Sequence, residues 1–433
     1  MHTVEGLTAA SAGLGGEGLP ESERLGRTLA EGWPVHLSPE LGASLNMSPA
    51  TAIVGGIGSG KTVVAAALAT RLASSERSPG AALVVSPRGG TDYEYARDQL
   101  VVDEQVSDRF YVDKLGWGDA DTEYGVDNSG FSIWEMLENG RRTHLARGLL
   151  ALIVRLLSDT GREASDPEWT VFEAVAGRVA GEVAEHGAPA PGFRLPYLKE
   201  VARELKNESS DTEQRNAAAS VENGLDYHLD NDFPEPAVSM LAEGLPRGCV
   251  EVEEGRVKVC AADGLPLPPS HLGWSPEYKV SISEHERLSA GAMLVALAGA
   301  QERIYSASPS GRKIPVWLVV EEPGLYSLLE GGEEVLLSII REGRSLNVGT
   351  VLVASSAKEL EPYTPLLTTW LIGRHIPSIR GEGWNGLEYA LDAARVSYSE
   401  ENRDLDVFSR LSPGEFLVSR CDNAAGFVQV ERP

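Results

Sequence analysis

The run Gly55-Gly56-Ile57-Gly58-Ser59-Gly60-Lys61-Thr62 restricts this chain more than any other stretch, because it matches G-x-x-x-x-G-K followed by Ser or Thr in full. Thr51 to Val54 before it reads as a strand, a helix is predicted from Lys61 to about Ala73, and Ala81 to Ser86 reads as the next strand. Strand, Gly-rich turn, helix and strand make a βαβ unit, so the sequence predicts an α/β fold with a mainly parallel sheet. Glycines let the loop wrap until successive N–H groups point at phosphates, and the helix start adds its positive end. The spacing therefore assigns Gly55, Gly56, Ile57, Gly58, Ser59, Gly60, Lys61 and Thr62 to nucleotide binding. Lys61 is expected on the β and γ phosphates of ATP, where it also serves catalysis, and the Thr62 hydroxyl on Mg2+. Val63 after them is an apolar helix residue with no ligand role. A Gly-rich turn that precedes Lys-Thr by chance is the alternative, and the flanking strand and helix weigh against it.

Such a site needs an acid at the end of another buried strand, to organise Mg2+ and orient the attacking water. The apolar run Ile314 to Val320 ends in Glu321-Glu322. Adjacent strand residues face opposite ways, so Glu321 is assigned to the metal and Glu322, where the strand ends and turns, to the water. A solvated Glu-Glu pair opening a loop is the plainer reading. Farther on, Arg341-Glu342-Gly343-Arg344 is expected to join a helix over 333–342 to a strand over 348–354. Arg341 and Arg344 are candidates for a cation that one subunit supplies to its neighbour's γ-phosphate. Their plainer reading is interaction with the helix C-terminal dipole.

At 433 residues the chain is long for one domain of ~150 residues. Residues 1–32, rich in Gly, Ser and Ala at the start, read as a flexible tail, 33–130 as the first part of the core, 131–235 as an all-helical insertion, and 236–433 as the second part of the core. The helical periodicity rests on Leu145, Leu149, Ile153 and Leu156, on Phe172, Val175, Ala176, Val179 and Val183, and on Leu198, Ala202 and Leu205. Pro34 to Leu37 reads as a strand, and Val250 to Val259 as a hairpin turning at Glu254-Gly255. Ser283 and Glu286 form a capping box that opens a helix to about Ile304. A further strand is expected over 369–373.

The net charge of −26 makes the surface as a whole repel nucleic acid, so any DNA contact must be local. Arg141, Arg142 and Arg147 form the densest basic cluster, although on a helix such a cluster is also a common solvated face. Cys249, Cys260 and Cys421 include no CxxC pair, which suggests neither a disulfide framework nor a zinc site and fits a reducing cytoplasm. The longest apolar run, Leu288 to Ala300, falls short of the ~20 residues a membrane span requires. No signal peptide is expected, and membrane attachment is expected only through partner proteins.

The order of motifs resembles the large conjugative type IV secretion ATPases (TraC/TraE type) of the FtsK–HerA superfamily of P-loop ATPases. It runs from the P-loop through the helical insertion and the strand ending in two acids to IIREGRSLNVGTVLVASSAKEL, TTWLIGRH and LSPGEFLVSR, over about 33–430. The resemblance implies a RecA-like core, assembly into a ring that is a hexamer in the usual case, envelope-spanning secretion or conjugation partners, and a place at the inner face of the membrane. Glu321 stands where the family has Asp, and Ser355-Ser356 where it has a Gln that senses the γ-phosphate. Full-length relatives carry a large N-terminal domain, whereas about fifty residues precede the P-loop here. Two readings stay open beside a secretion motor: a DNA translocase of FtsK or HerA type, and a nucleotide-binding scaffold that turns over slowly.

Overall fold

A computed structural model describes residues 2–9, 14, 24–39, 49–75, 79–88, 91–100, 110–116, 131–138, 140, 143–158, 166–190, 192–230, 237, 241, 243–245, 250–263, 265–267, 282–307, 314–329, 332–376, 385–399 and 404–431. The strands in chain order are β1 (His2–Thr3), β2 (Arg24–Thr28), β3 (Pro34–His36), β4 (Ala50–Val54), β5 (Ala81–Ser86), β6 (Phe110–Gly116) and β7 (Val257–Asp263). They continue with β8 (Val316–Glu321), β9 (Val348–Ala354), β10 (Thr369–Ile372), β11 (Val396–Ser397), β12 (Glu415–Arg420) and β13 (Ala425–Val430). Among the described residues the main sheet has 11 strands in the order β3-β2-β13-β12-β10-β4-β9-β8-β5-β7-β6. From β10 to β6 every neighbouring pair is parallel, while β12, β13, β2 and β3 add an antiparallel flank.

Alternation along the central strands sends successive side chains to two separate cores. Ala52 and Val54 of β4 face one core with Val316, Leu318 and Val320 of β8. Ile53 faces the other with Trp317, Val319, Val351 and Val353. Helix Lys61–Ala73 covers the second face, burying Val64, Ala65, Leu68 and Leu72 there. Helices Glu284–Ser306 and Gly332–Leu346 cover the first. The continuous apolar runs of β4, β5, β8 and β9 suit strands buried on both faces.

Helices Ile133–Glu138, Thr143–Leu157, Asp166–His186, Arg194–Glu208 and Thr212–Asp230 follow one another without a strand among the described residues. Of the side chains that define their periodicity, Leu149, Ile153, Phe172, Val175, Val179, Val183, Leu198 and Ala202 are buried. Leu145 and Leu156 have side chains outside the described set, as do Arg141 and Arg142 entirely. The Ser283 hydroxyl accepts from the Glu286 N–H while Glu286 accepts from the Ser283 N–H, which is the expected capping box.

Three expectations change. Val4, Leu7 and Leu14 are buried, and β2 lies in the main sheet beside β13, so the described residues of 1–32 are packed and do not form a free tail. Isolated apolar residues in a Gly-rich stretch give no periodicity, and only their burial reveals them. Val250 to Val259 is not a hairpin. The turn at Glu254-Gly255 forms, with Gly255 at φ 78, but only the second arm becomes a strand, β7, which pairs in parallel with β5 and β6. A turn signal is local, whereas the partner of the arm is chosen by the buried sheet. Finally, Arg341 and Arg344 belong to the helix Gly332–Leu346 itself, and the joint to β9 is Asn347 at φ 60.

Candidate functional site

β4 ends at Val54 and the helix begins at Lys61, with Gly55–Gly60 looping between them. Gly60 caps the helix in a left-handed conformation, φ 90, with no side-chain hydrogen bond to the first turn, so the helix start is open to an acceptor. A Cβ on Gly60 would lie 3.1 Å from the Gly414 nitrogen, so the residue also allows the loop before β12 to close in. The Gly56 N–H donates to the Arg374 carbonyl at 2.7 Å, and the Gly414 N–H to the Ser59 carbonyl at 3.2 Å. Ile57 forms the exposed apex, at 90% exposure, while the buried Ser59 hydroxyl has no hydrogen-bond partner among the described residues.

The Lys61 ammonium folds back over this loop and donates to the carbonyls of Gly55, at 2.7 Å, and Gly56, at 3.2 Å. Burial lowers its pKa from the usual 10.5 to about 8, and the nearby Arg88 charge adds to the fall. A partly desolvated ammonium beside open backbone donors is a site suited to an anion.

Glu321 arrives from β8. Period-two alternation places it on the side of Trp317 and Val319, which is the side covered by the helix Lys61–Ala73. Its carboxylate accepts from the Thr62 hydroxyl at 3.1 Å and from the Ser86 hydroxyl at 2.6 Å. Ser86 shares that side because Ala82 and Val84 precede it on β5. Burial raises the Glu321 pKa, opposed first by the Ser86 hydrogen bond, then by Arg88 and the Thr62 hydrogen bond. Thr62, Glu321 and Ser86 thus supply hard oxygen donors of the kind Mg2+ takes.

Glu322 leaves the strand in a left-handed conformation at φ 50, ψ 58, held by its N–H donating to the Val353 carbonyl at 2.8 Å. Its carboxylate is paired with Arg88, whose Nε donates to Oε1 at 2.6 Å. The carboxylate assigned to the water therefore has a protein partner in this structure.

No protein-family model matches the sequence, and no curated protein matches it. In structure the chain is similar to VirB4 of Thermoanaerobacter pseudethanolicus, with a TM-score of 0.64 and 14% identity, covering 98% of this chain and 99% of that one. The chain has the VirB4 fold. It is also similar to the bacterial conjugative coupling protein TrwB, with a TM-score of 0.52 and 13% identity over 98% of this chain and 94% of that one. The core is the RecA-like P-loop fold, and the strand order agrees with it: β9 lies between the P-loop strand β4 and the acid-bearing strand β8.

Within this VirB4-like fold, Arg341 and Arg344 are exposed on the helix Gly332–Leu346, and Arg341 pairs with Glu334 at 3.1 Å. Neither has a described contact with the P-loop residues. Arg147 is exposed on the helix Thr143–Leu157. Sequence reasoning missed Ser86, Arg88 and Arg374. The Arg374 guanidinium donates to the Ile57 carbonyl at 3.3 Å, and Arg88 also donates to the Ser355 hydroxyl at 3.3 Å. All three stand at or just past the C-terminal end of a central parallel strand, where ligands of open α/β sheets bind, and that position was the signal available.

Proposed function

We propose that the chain is an ATP-hydrolysing motor subunit that powers conjugative or type IV secretion transfer. The observation that carries the reading is the Thr62–Glu321 hydrogen bond beneath the Lys61 loop, which joins the P-loop to the acid of a distant strand. Lys61 would leave the loop carbonyls for the β and γ phosphates, and Thr62 with Glu321 would hold Mg2+. The metal, when bound, supplies charge neutralisation on the phosphates. Glu322 would orient the attacking water, and the exposed Arg341 and Arg344 would reach a neighbouring subunit's γ-phosphate across a ring interface.

Likeness in fold to VirB4 and to a conjugative coupling protein supports the motor reading, together with the motif order that resembles the conjugative secretion ATPases. The same support extends to a ring, a hexamer in the usual case, to envelope-spanning partners, and to a place at the inner face of the membrane held by those partners. Among the described residues no helix is long and apolar enough to cross a membrane. The charge of −26 favours a secretion motor over a translocase that threads DNA, because duplex contact would fall to a few local basic sites.

The test is phosphate release from ATP and Mg2+ by the wild type and by Lys61→Ala. The wild type is expected to turn over and the variant to fall to background; equal rates would remove the enzyme and leave a scaffold. Strong stimulation by duplex DNA at physiological salt would move the reading to a translocase.

A further inference from the structure

Arg88 stands two residues beyond the last position of β5 on the face that carries Ser86, and its guanidinium crosses to the ends of two other strands. It holds Glu322 through Nε at 2.6 Å and through Nη2, and it holds Ser355 through Nη2 at 3.3 Å. The two partners differ in freedom. The Glu322 side chain is only 9% exposed and its backbone is fixed in a left-handed turn, whereas the Arg88 side chain is 42% exposed. An exchange of partners is therefore open to the arginine and closed to the carboxylate.

Charge favours such an exchange. The Arg88 charge lies close enough to Lys61 to lower its pKa, against Glu321, Glu322 and Glu359, which raise it, so a strong anion between the two cations gains attraction to both. A terminal phosphate offers a guanidinium several charged acceptor oxygens in a geometry that matches its fork. Ser355 occupies the strand-end position beside it on the same face as Val351 and Val353. A serine there is too short to reach far over the cradle, whereas the Arg88 guanidinium spans from the end of β5 to the residues that follow β8 and β9.

We propose that Arg88 reads the terminal phosphate: without a triphosphate it holds Glu322, and with ATP its guanidinium moves onto the γ-phosphate oxygens and leaves the Glu322 carboxylate to accept from the attacking water. This role rests on the ATPase reading above. It makes Arg88 a contact for the substrate and a gate on Glu322 in the same subunit, separate from any arginine supplied by a neighbour.

Calorimetry with ADP and with a non-hydrolysable ATP analogue, both with Mg2+, tests it in the full chain. Arg88→Ala weakens the analogue by about tenfold or more, as loss of a charge-assisted hydrogen bond should, and leaves ADP within about twofold. Arg88→Lys, which keeps the charge and guards against a folding failure in the alanine variant, recovers part of the analogue affinity. Glu322→Gln frees Arg88 and tightens the analogue, and that gain disappears in the double variant Arg88→Ala/Glu322→Gln. Equal weakening of ADP and analogue, unchanged binding of both, or a higher turnover in Arg88→Ala with analogue binding intact would each overturn the role while leaving the ATPase standing. A wild type that takes up neither nucleotide would overturn both.

Discussion

Glu321 and Thr62 are 259 positions apart in the chain, and the Thr62 hydroxyl donates to Glu321 Oε1 at 3.1 Å. The contact exists because β8 and the P-loop strand β4 flank β9 in one sheet, and because Glu321 points to the side on which the P-loop helix lies. Two short apolar strands therefore bring a hydroxyl and a carboxylate within reach of one cation.

Replacing Glu321 tests that pair. Glu321→Ala should weaken Mg2+-dependent nucleotide binding by about tenfold or more, the scale seen for outer-shell partners alone, while binding in chelator stays the same. Titration calorimetry with and without Mg2+ reads this directly. An unchanged Mg2+ dependence would place the metal elsewhere.

The same carboxyl gives a pH signature in the unliganded protein. Burial raises its pKa above the usual 4.5, so the folded state holds its proton more tightly than the unfolded chain. Its contribution to stability is thus fully present below the unfolded value and is lost as pH rises through the folded one. Glu321→Gln, which stays neutral, should melt higher than the wild type at neutral pH, and the gap should close on acidification below the usual carboxylate range. Parallel melting curves across that range would contradict the burial argument.

Lys61 carries a second signature. The proposed phosphate contact needs its charged form, and burial brings its pKa down to about 8 from 10.5. Affinity for ATP should be flat below about 8 and fall above it, with a proton taken up on binding in that alkaline range. Proton uptake can be measured by calorimetry in buffers of different ionisation enthalpy. A bend that persists in Lys61→Arg would belong to another group.

Packing under the site can be probed at Gly349. It lies opposite Trp317 across β8 and β9, and a Cβ there would come 2.1 Å from Trp317 Cζ3. Trp317 is 1% exposed and has no room to retreat. Gly349→Ala should cost about 1–3 kcal/mol in thermal or denaturant unfolding, and pairing it with Trp317→Leu should recover part of the loss. Simple additivity of the two changes would mean that the ring does not set the limit.

Arg341 and Arg344 can be tested in trans. Lys61→Ala and Arg344→Ala subunits should each be inactive alone, and mixing them should restore part of the turnover, because some interfaces would join an intact P-loop to an intact arginine. The same mixture with Arg341→Ala separates the two candidates. Activity retained in both arginine variants alone would assign them to the helix end and to the ion pair with Glu334.

Local chemistry made much of this protein readable from its residues alone. The P-loop helix, β5, β9 and the capping box at Ser283 follow from glycine placement, apolar runs and side-chain caps, all of which act within a few residues. The apolar run Ile314 to Val320 also put Glu321 and Glu322 at the end of a buried strand. Tertiary structure alone decided the partner of β7, the burial of Val4 and Leu7, and the convergence of Ser86 on Glu321 and of Arg88 on Glu322 and Ser355. Strand order and long-range side-chain pairing depend on which surfaces the whole chain can bury together, and no window of neighbouring residues contains that information.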